Sequence, residues 1–599
     1  MQTITLNTNA AGDQFPGCLQ TALPNLKRVW VLDFEFETTA WPVKPVAMVA
    51  TDVLSGFTLQ LGPECLASNP FLSDETELFV SFYAIAEASC FLALDWKMPP
   101  LWLDLWAEAK RMANGRLGPD GRPLPAGMLD VLQRHGLPTR DHAHKKSMQT
   151  LVGTGAWQAK DVADIIAYCN EDVEDTARLL RVLWPSIINE APVPGEPALW
   201  QALIRGTSTA YNAIIEAEGI PIDVGTWTAV RDQWQDIRAR LIDDVDSRYG
   251  VFIEGSFSEA RFAQYLAREG IPWPRLESGA LALDDDTFRQ RAKVEPRVAE
   301  LRELREALSK VRGNSITVGP DGRARTPMRP LSSKTGRSQP STASFIFGAA
   351  KWVRSFIRAP DGYTFAYLDY TSEEAAIAAY LSGDEAMSGA YRSGDVYLAF
   401  AKQAGLVPAD ATKKTHKPQR DAAKAIVLGV QYGMSETSMA ANSGVPIDLC
   451  RDLLLKHRFL HRKYWNFVAE YRNRIAANRP AYTPLGWRIQ LGAGSDLNER
   501  SNGNWPTQST GSDILRLAVI NCVNAGVIPC ATIHDALAFV VPTAQADEMV
   551  ATAKDQMERA AMVVAGGPIA VDVDRKDFPA SYEDEAGAEF FQTILRNLK

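Results

Sequence analysis

Cysteine is scarce and unpatterned: there are seven in 599 residues (Cys18, Cys65, Cys90, Cys169, Cys450, Cys522 and Cys530), an odd number with no CxxC pair. That excludes a disulfide framework and a cysteine zinc site. Histidine is equally rare, with seven. His457 and His461 stand four apart on an expected helix but lack the further ligands of a zinc motif, and His142 and His144 in RDHAHKK read as a loop. Long apolar runs are missing, so nothing approaches the roughly 20 residues of a membrane span. The N-terminus MQTITLNTNAAGDQF has neither a basic nor an apolar leader region. A cytoplasmic protein without a membrane partner is the expectation. Repeats and low-complexity tracts are absent. So is an excess of positive charge: the formal net charge is -9, which by itself argues against a nucleic-acid partner.

Charge is unevenly placed, however, and local density matters more than the sum. Between Lys310 and Arg358, the residues Lys310, Arg312, Arg323, Arg325, Arg329, Lys334, Arg337, Lys351, Arg354 and Arg358 face a single acid in the same stretch, Asp321. The run reads as a phosphate-binding track, the alternative being a solvated loop with incidental charge. The length predicts about three or four domains.

A Pro/Gly-rich segment, NEAPVPGEPALW, closes the first region near Glu190. Before it, VWVLDFEFE predicts a strand, LFVSFYAIAEASCFLAL a strand then a helix, and DVADIIAYCNEDVEDTARLLRVLW an amphipathic helix. This is an α/β pattern. Helices are expected from about Leu203 to Gly313, the last stopped by its glycine. There Arg302, Arg305, Lys310 and Arg312 either reach a phosphate or pair with Glu303 and Glu306. A strand over Phe365 to Asp369 follows, then mostly helix to about Asn478. CATIHDALAFVV, Cys530 to Val541, predicts a buried β-hairpin around His534 and Asp535. PTAQADEMVATAKDQMERAAMVV predicts an amphipathic helix, begun by a Pro-Thr cap, that packs under the sheet.

Acids punctuate this pattern at strand ends. Asp33 and Glu35, two apart in a strand, share one face and repel unless a cation lies between them. Glu87 and Asp172 join them if their segments fold against that strand, and Tyr168, one turn before Asp172, shares its face. Asp369 and Asp535, if they converge, would hold divalent metal for phosphoryl transfer; otherwise each is an ordinary turn or N-cap aspartate. On the predicted helix KPQRDAAKAIVLGVQYGMS, Arg420, Lys424 and Leu428 recur every four residues in a stripe that continues to Tyr432. NERSNGNWPTQSTG reads either as a nucleic-acid contact or as a polar turn capping a helix after Ser512.

In chain order, Asp-x-Glu, a mid-domain acid and Tyr-x-x-x-Asp resemble the DEDDy-type 3′→5′ exonuclease family, whose fold is RNase H-like. The resemblance implies Asp33, Glu35, Glu87 and Asp172 as metal ligands and Tyr168 as the residue that positions the attacking water. Glu87 stands where the family commonly has aspartate after asparagine, so Asp95 and Asp104 remain alternative third ligands. From Arg205 onward the chain resembles family A DNA polymerases. Thr335 and Arg337 in TGR, with Arg354, match primer-template and nucleotide contacts. LDYTSEEA matches the first palm motif, implying Asp369 as a metal ligand, Tyr370 as a carbonyl donor and Glu374 as the gate that rejects ribose. Arg420 and Lys424 then bind the triphosphate, and Tyr432 flanks the templating pair. Leu428 replaces the usual Phe or Tyr. Arg500, Asn504 and Gln508 match minor-groove and template contacts. His534-Asp535 matches the His-Asp of the last motif, with Ala536 where the family has glutamate.

The implied architecture is a multidomain α/β protein: an exonuclease domain at 1–192, the start of palm and a helical thumb at 193–330, and palm with the first catalytic aspartate at 331–385. Fingers follow at 386–480 and palm with the second aspartate at 481–599. No region is expected to form a 5′-nuclease domain. The implied function is template-directed DNA synthesis with proofreading by a monomer on primer-template DNA and deoxynucleoside triphosphates. Mg2+ would serve two ions per active site, with Mn2+ as a substitute. The compact plan resembles bacteriophage replicative enzymes, acting in a host cytoplasm; no replisome partner can be named from the residues. Rival readings are an exonuclease with a degenerate polymerase half, motivated by Leu428 and Ala536, a non-catalytic nucleic-acid-binding scaffold, and a single-subunit RNA polymerase, opposed by Glu374.

Overall fold

The computed structural model describes Leu19 and residues 23–190, 198–309, 316–341, 344–492 and 499–598. Two sheets organise them. The first has the order β3-β2-β1-β4-β5, with β1 Arg28–Glu37, β2 Lys44–Asp52, β3 Thr58–Leu61, β4 Glu77–Ser81 and β5 Trp102–Asp104. β1 is antiparallel to β2 and parallel to β4. Side chains alternate across β1: Trp30, Leu32 and Phe34 enter one core with Phe79 and Phe91, while Val29 and Val31 enter another with Leu179 and Leu183. That period of 2 puts Asp33 and Glu35 on the side of Val29 and Val31. Helices α1 Ala84–Ala93, α2 Leu105–Ala113, α3 His142–Gly153 and α4 Val162–Asn189 cover the sheet, and α4 carries Tyr168 and Asp172. His142 and His144 therefore open a helix capped by Asp141, which accepts from Ala143 N, and not the loop that their polar neighbours suggested.

Helix α5 Ala198–Glu218 joins the two halves. Its Ala210, Ala213 and Ile214 share one core with Phe91 and Trp102 on one side and Ile514 and Phe539 on the other. The approach is close: a Cβ on Gly206 would lie 2.3 Å from the Trp102 carbonyl oxygen, so only glycine fits. The expected division at residue 192 falls within 191–197, outside the described residues. The predicted helices between 224 and 309 are present, but Gly313, the expected stop, also lies outside them.

The second sheet, β7-β8-β6-β9, is antiparallel throughout. It comprises β6 Tyr363–Tyr370, β7 Pro529–Ile533, β8 Ala536–Pro542 and β9 Val571–Asp577, flanked by α6 Glu373–Ser382, α8 Glu499–Asn524 and α9 Ala546–Ala565, while α7 Lys417–Gln431 packs in a separate helical core with Phe400, Leu453 and Tyr464. The predicted hairpin is β7-β8; Ile533 pairs with Ala536, and His534 takes a left-handed φ of 52° to close the turn. Two local expectations fail. The polar stretch before Ser512 is not a turn, because α8 runs through it with Pro506 inside. Thr543 does not cap α9: it lies in a 3-10 turn, and the residue before the helix, Gln545, makes no side-chain cap bond. No helix among the described residues is long and apolar enough to cross a membrane.

A buried charge network fastens these parts. Glu108 on α2 accepts from Arg205 Nε on α5 at 2.6 Å and from Arg111 Nε at 2.8 Å, and Arg205 Nη1 reaches the Leu485 carbonyl at 2.6 Å. Truncating one member strands buried charge. Glu108→Ala is expected to lower the unfolding free energy by about 3–5 kcal/mol, measured by chemical denaturation.

Two candidate carboxylate centres

At the first centre, carboxylate oxygens of Asp33, Glu35 and Asp172 all lie within 4.8 Å of one another. Glu87 on α1 is buried beside them, feels the charges of Asp33, Glu35 and Asp172, and leaves its Oε2 without a partner. The buried Tyr168 hydroxyl is likewise unpartnered. Burial and then the charge of Asp172 push Asp33 up to about 8, and burial and then Asp33 raise Glu35. Crowded acids and orphaned oxygens of this kind fit a hard divalent cation with oxygen ligands. The alternatives to Glu87 are otherwise employed. Asp104 accepts backbone N–H groups of Tyr83, Ala84, Trp106 and Ala107, capping α2 and holding the start of α1. Asp95 is exposed.

The second centre lies at the end of β6. Asp369 pairs with Ala536 on one side and Asp572 on the other, and Asp535 from the hairpin turn hydrogen-bonds to it. The turn is tied down by Tyr370 N donating to Asp535 O at 3.4 Å, while the Tyr370 phenol is spent on Met557 O at 2.6 Å. Burial, then Asp535 and Asp572, raise Asp369 to about 7, and its Oδ1 has no partner. This set also fits a divalent cation. Glu374, one turn on, is 3.9 Å from Arg337 Nη2 and hydrogen-bonded to Gln508. Arg337 and the exposed His534 line a cleft of about 410 Å³ with Phe347 and Arg516.

On α7 the predicted stripe forms, with Lys424 and Tyr432 exposed and Leu428 half-buried. Arg420 is paired with Asp395 at 2.6 Å, and Arg420 and Lys424 both lie over the Tyr397 ring, 5.2 and 5.6 Å from its centroid. Asn504 and Gln508 are half-buried four residues apart on α8; the Arg500 side chain lies outside the described residues. Thr335 is bonded to the Ser333 hydroxyl at 2.9 Å.

Besides Arg337, five residues of the basic run are ion-paired, while Arg329 and Lys334 are exposed. Arg323 pairs with Glu218, Arg325 with Asp321, Arg354 with Asp584, Arg358 with Asp223 and Lys351 with Asp584. All but one of these acids come from distant segments, which a local charge count could not see. Lys310 and Arg312 lie outside the described residues. His457 and His461 are buried in the helical region, where His457 Nδ1 accepts from Trp465 Nε1 at 3.2 Å.

Residues 284–576 match the family model described as DNA polymerase family A. The thermostable DNA polymerase I of Thermus thermophilus is 24% identical over 503 residues, which are 76% of this chain and 59% of that protein. DNA polymerase I of Aquifex aeolicus is 24% identical over 330 residues, 53% of this chain and 55% of that protein. The chain thus spans less than two thirds of either relative. The DNA polymerase of Mycobacterium phage D29 is 24% identical over 231 residues, 38% of this chain and 37% of that one. A solved structure, the POL domain of Pol1 from M. smegmatis in complex with DNA primer-template and dNTP, has the same fold, with a TM-score of 0.68 at 18% identity over 96% of this chain and 98% of that one.

Within the matched segment, sequence reasoning overlooked Asp572 beside Asp369 and Asp395 beside Arg420, and before it Arg140 and Lys145 beside Asp172. Acids alternate in VDVDRKD, a signal for Asp572; Asp395, Arg140 and Lys145 sit in unremarkable contexts.

The raised acids have a consequence for stability. Asp33 has a native value of about 8 against 3.8 ordinarily, so the folded chain holds a proton that the unfolded chain releases. Folding stability from this group therefore falls as pH rises between those values. With divalent metal chelated, Asp33→Asn should raise the melting temperature at pH 8 and make little difference at pH 4, measured by thermal melts.

Proposed function

We propose that the protein is a template-directed DNA polymerase that adds deoxynucleotides to a primer 3′ end and proofreads with a 3′→5′ exonuclease. The observation that carries this reading is the convergence of Asp369 and Asp535, from segments 166 residues apart, at a sheet end flanked by the Glu374–Arg337 pair. Mg2+, or Mn2+ in its place, would be held by Asp369, Asp535 and the Tyr370 carbonyl in one centre and by Asp33, Glu35, Glu87 and Asp172 in the other. Bound there, it would lower the pKa of the attacking oxygen and neutralise phosphate charge.

The chain's own residues do the rest. Arg420 and Lys424 bind the triphosphate and stabilise charge on the departing pyrophosphate, and His534 contacts the nucleotide from the cleft that it lines with Arg337. Tyr432 flanks the templating pair, next to a Leu428 that offers no aromatic face to the sugar. Glu374, fixed by Arg337 and Gln508, excludes a ribose hydroxyl. Thr335, Arg337 and Arg354 follow the primer-template, and Arg500, Asn504 and Gln508 read minor-groove acceptors without reading sequence. At the first centre Tyr168 orients the attacking water. The match to a phage polymerase supports a role in phage DNA replication.

Primer extension with all four deoxynucleotides tests the reading. Asp535→Ala should abolish extension while primer shortening persists, and Asp33→Ala should do the reverse. Failure of the intact protein to extend a primer that it binds and shortens would leave an exonuclease with an inactive palm. Glu374→Ala should raise ribonucleotide incorporation on the order of 10-fold or more, read as the ratio of kcat/KM for ribo- and deoxynucleotides; an unchanged ratio refutes the gate.

A further inference from the structure

The first centre already contains a cation of its own. Lys145, on α3, places its Nζ 2.6 Å from Asp172 Oδ1 and 2.7 Å from Oδ2. Arg140, just before α3, also bonds to Asp172 and spreads over its neighbours, 2.8 Å from Asp175 Oδ2 and 2.9 Å from Glu171 Oε2. Both charged heads lie over the Tyr168 ring, 5.4 Å from its centroid for Lys145 and 5.6 Å for Arg140. The unpartnered Glu87 Oε2 and Tyr168 Oη are buried in the same centre, so ligand capacity is left unused there even with the two cations in place.

These two cations are not equivalent. Arg140 is anchored by three carboxylates in a planar fork, whereas Lys145 holds only Asp172, with the Met128 sulfur 4.0 Å away. The lysine is a point charge on a four-carbon stem; both side chains are 16% exposed, so what separates them is that one carboxylate holds Lys145 and three hold Arg140. A carboxylate whose two oxygens both accept from one ammonium cannot give the same lone pairs to a metal.

We propose that Lys145 is an exchangeable internal counter-ion: it holds Asp172 when the centre is without metal and has to withdraw for a divalent ion to be bound there. Lys145 is thereby a positioning residue that sets the metal concentration at which the centre fills, while Arg140 stays in place and keeps Asp172 oriented. This rests on reading the Asp33–Glu35–Glu87–Asp172 cluster as a metal centre.

The test reads metal binding directly. Mn2+ is titrated into the full chain carrying Asp369→Asn and Asp535→Asn, which weakens the other centre, and free Mn2+ is followed by electron paramagnetic resonance. Lys145→Gln and Lys145→Met should each tighten Mn2+ binding about 10-fold, within the usual range for coupling between two ligands. Lys145→Arg should retain the weak binding of the parent. Lys146→Gln removes the same charge from an exposed neighbour and should change the Kd less than twofold. Unchanged or weaker binding in both Lys145→Gln and Lys145→Met, or equal tightening in Lys146→Gln, would overturn the proposal. If Asp33→Asn does not weaken Mn2+ binding in the parent, the metal-centre reading itself falls, and the proposal with it.

Discussion

Carboxylates gathered away from water repel one another and lose hydration, and both centres of this protein are built around that constraint. At the first, desolvation and mutual repulsion raise Asp33, Glu35 and Glu87 together, and Lys145 and Arg140 supply compensating charge from one side. At the second, Asp369 shares a hydrogen bond with Asp535, and the nearby positive charge is Arg337, turned toward Glu374. The two sites carry one electrostatic problem, offset by internal cations in the first and left standing at Asp369 in the second. Each leaves an oxygen with unused capacity, Glu87 Oε2 and Asp369 Oδ1. A divalent ion would satisfy that capacity.

Such crowding persists only if the backbone cannot relax. Asp33 and Glu35 are fixed by a strand buried on both faces, and Asp369 by a central strand paired on each side. The sheets are braced by one helix, α5, whose Gly206 touches the Trp102 backbone and whose Arg205 closes the buried network with Glu108 and the Leu485 carbonyl. A change at Glu108 loosens the join between the sheets without touching either centre.

Much of this was legible from local pattern. The alternation in VWVLDFEFE gave the face of Asp33 and Glu35; the two apolar runs around His534-Asp535 gave the hairpin; the four-residue spacing gave the stripe on α7. These readings rest on periodicities of 2 and 3.6, which the chain carries locally. The basic run showed its charge but not its partners, because ionic partners are not local: Glu218, Asp223 and Asp584 pair with Arg323, Arg358 and Arg354 across more than a hundred residues. The stretch before Ser512 misled because its turn-forming Asn, Gly and Pro are overridden by tertiary packing, with Trp505 buried among Ile475, Trp487 and Leu491.

By itself, then, the sequence determined which residues share a face of which element, and so which acids, cations and aromatics were available for chemistry. Only the tertiary structure decided which of them meet. It set Asp572 beside Asp369, put Lys145 on Asp172 and Asp395 on Arg420, and turned Asp104 from a possible ligand into a cap. The reason is range: backbone periodicity is written in neighbouring residues, whereas charge pairing and ligand capacity depend on distances that exist only after distant segments have packed.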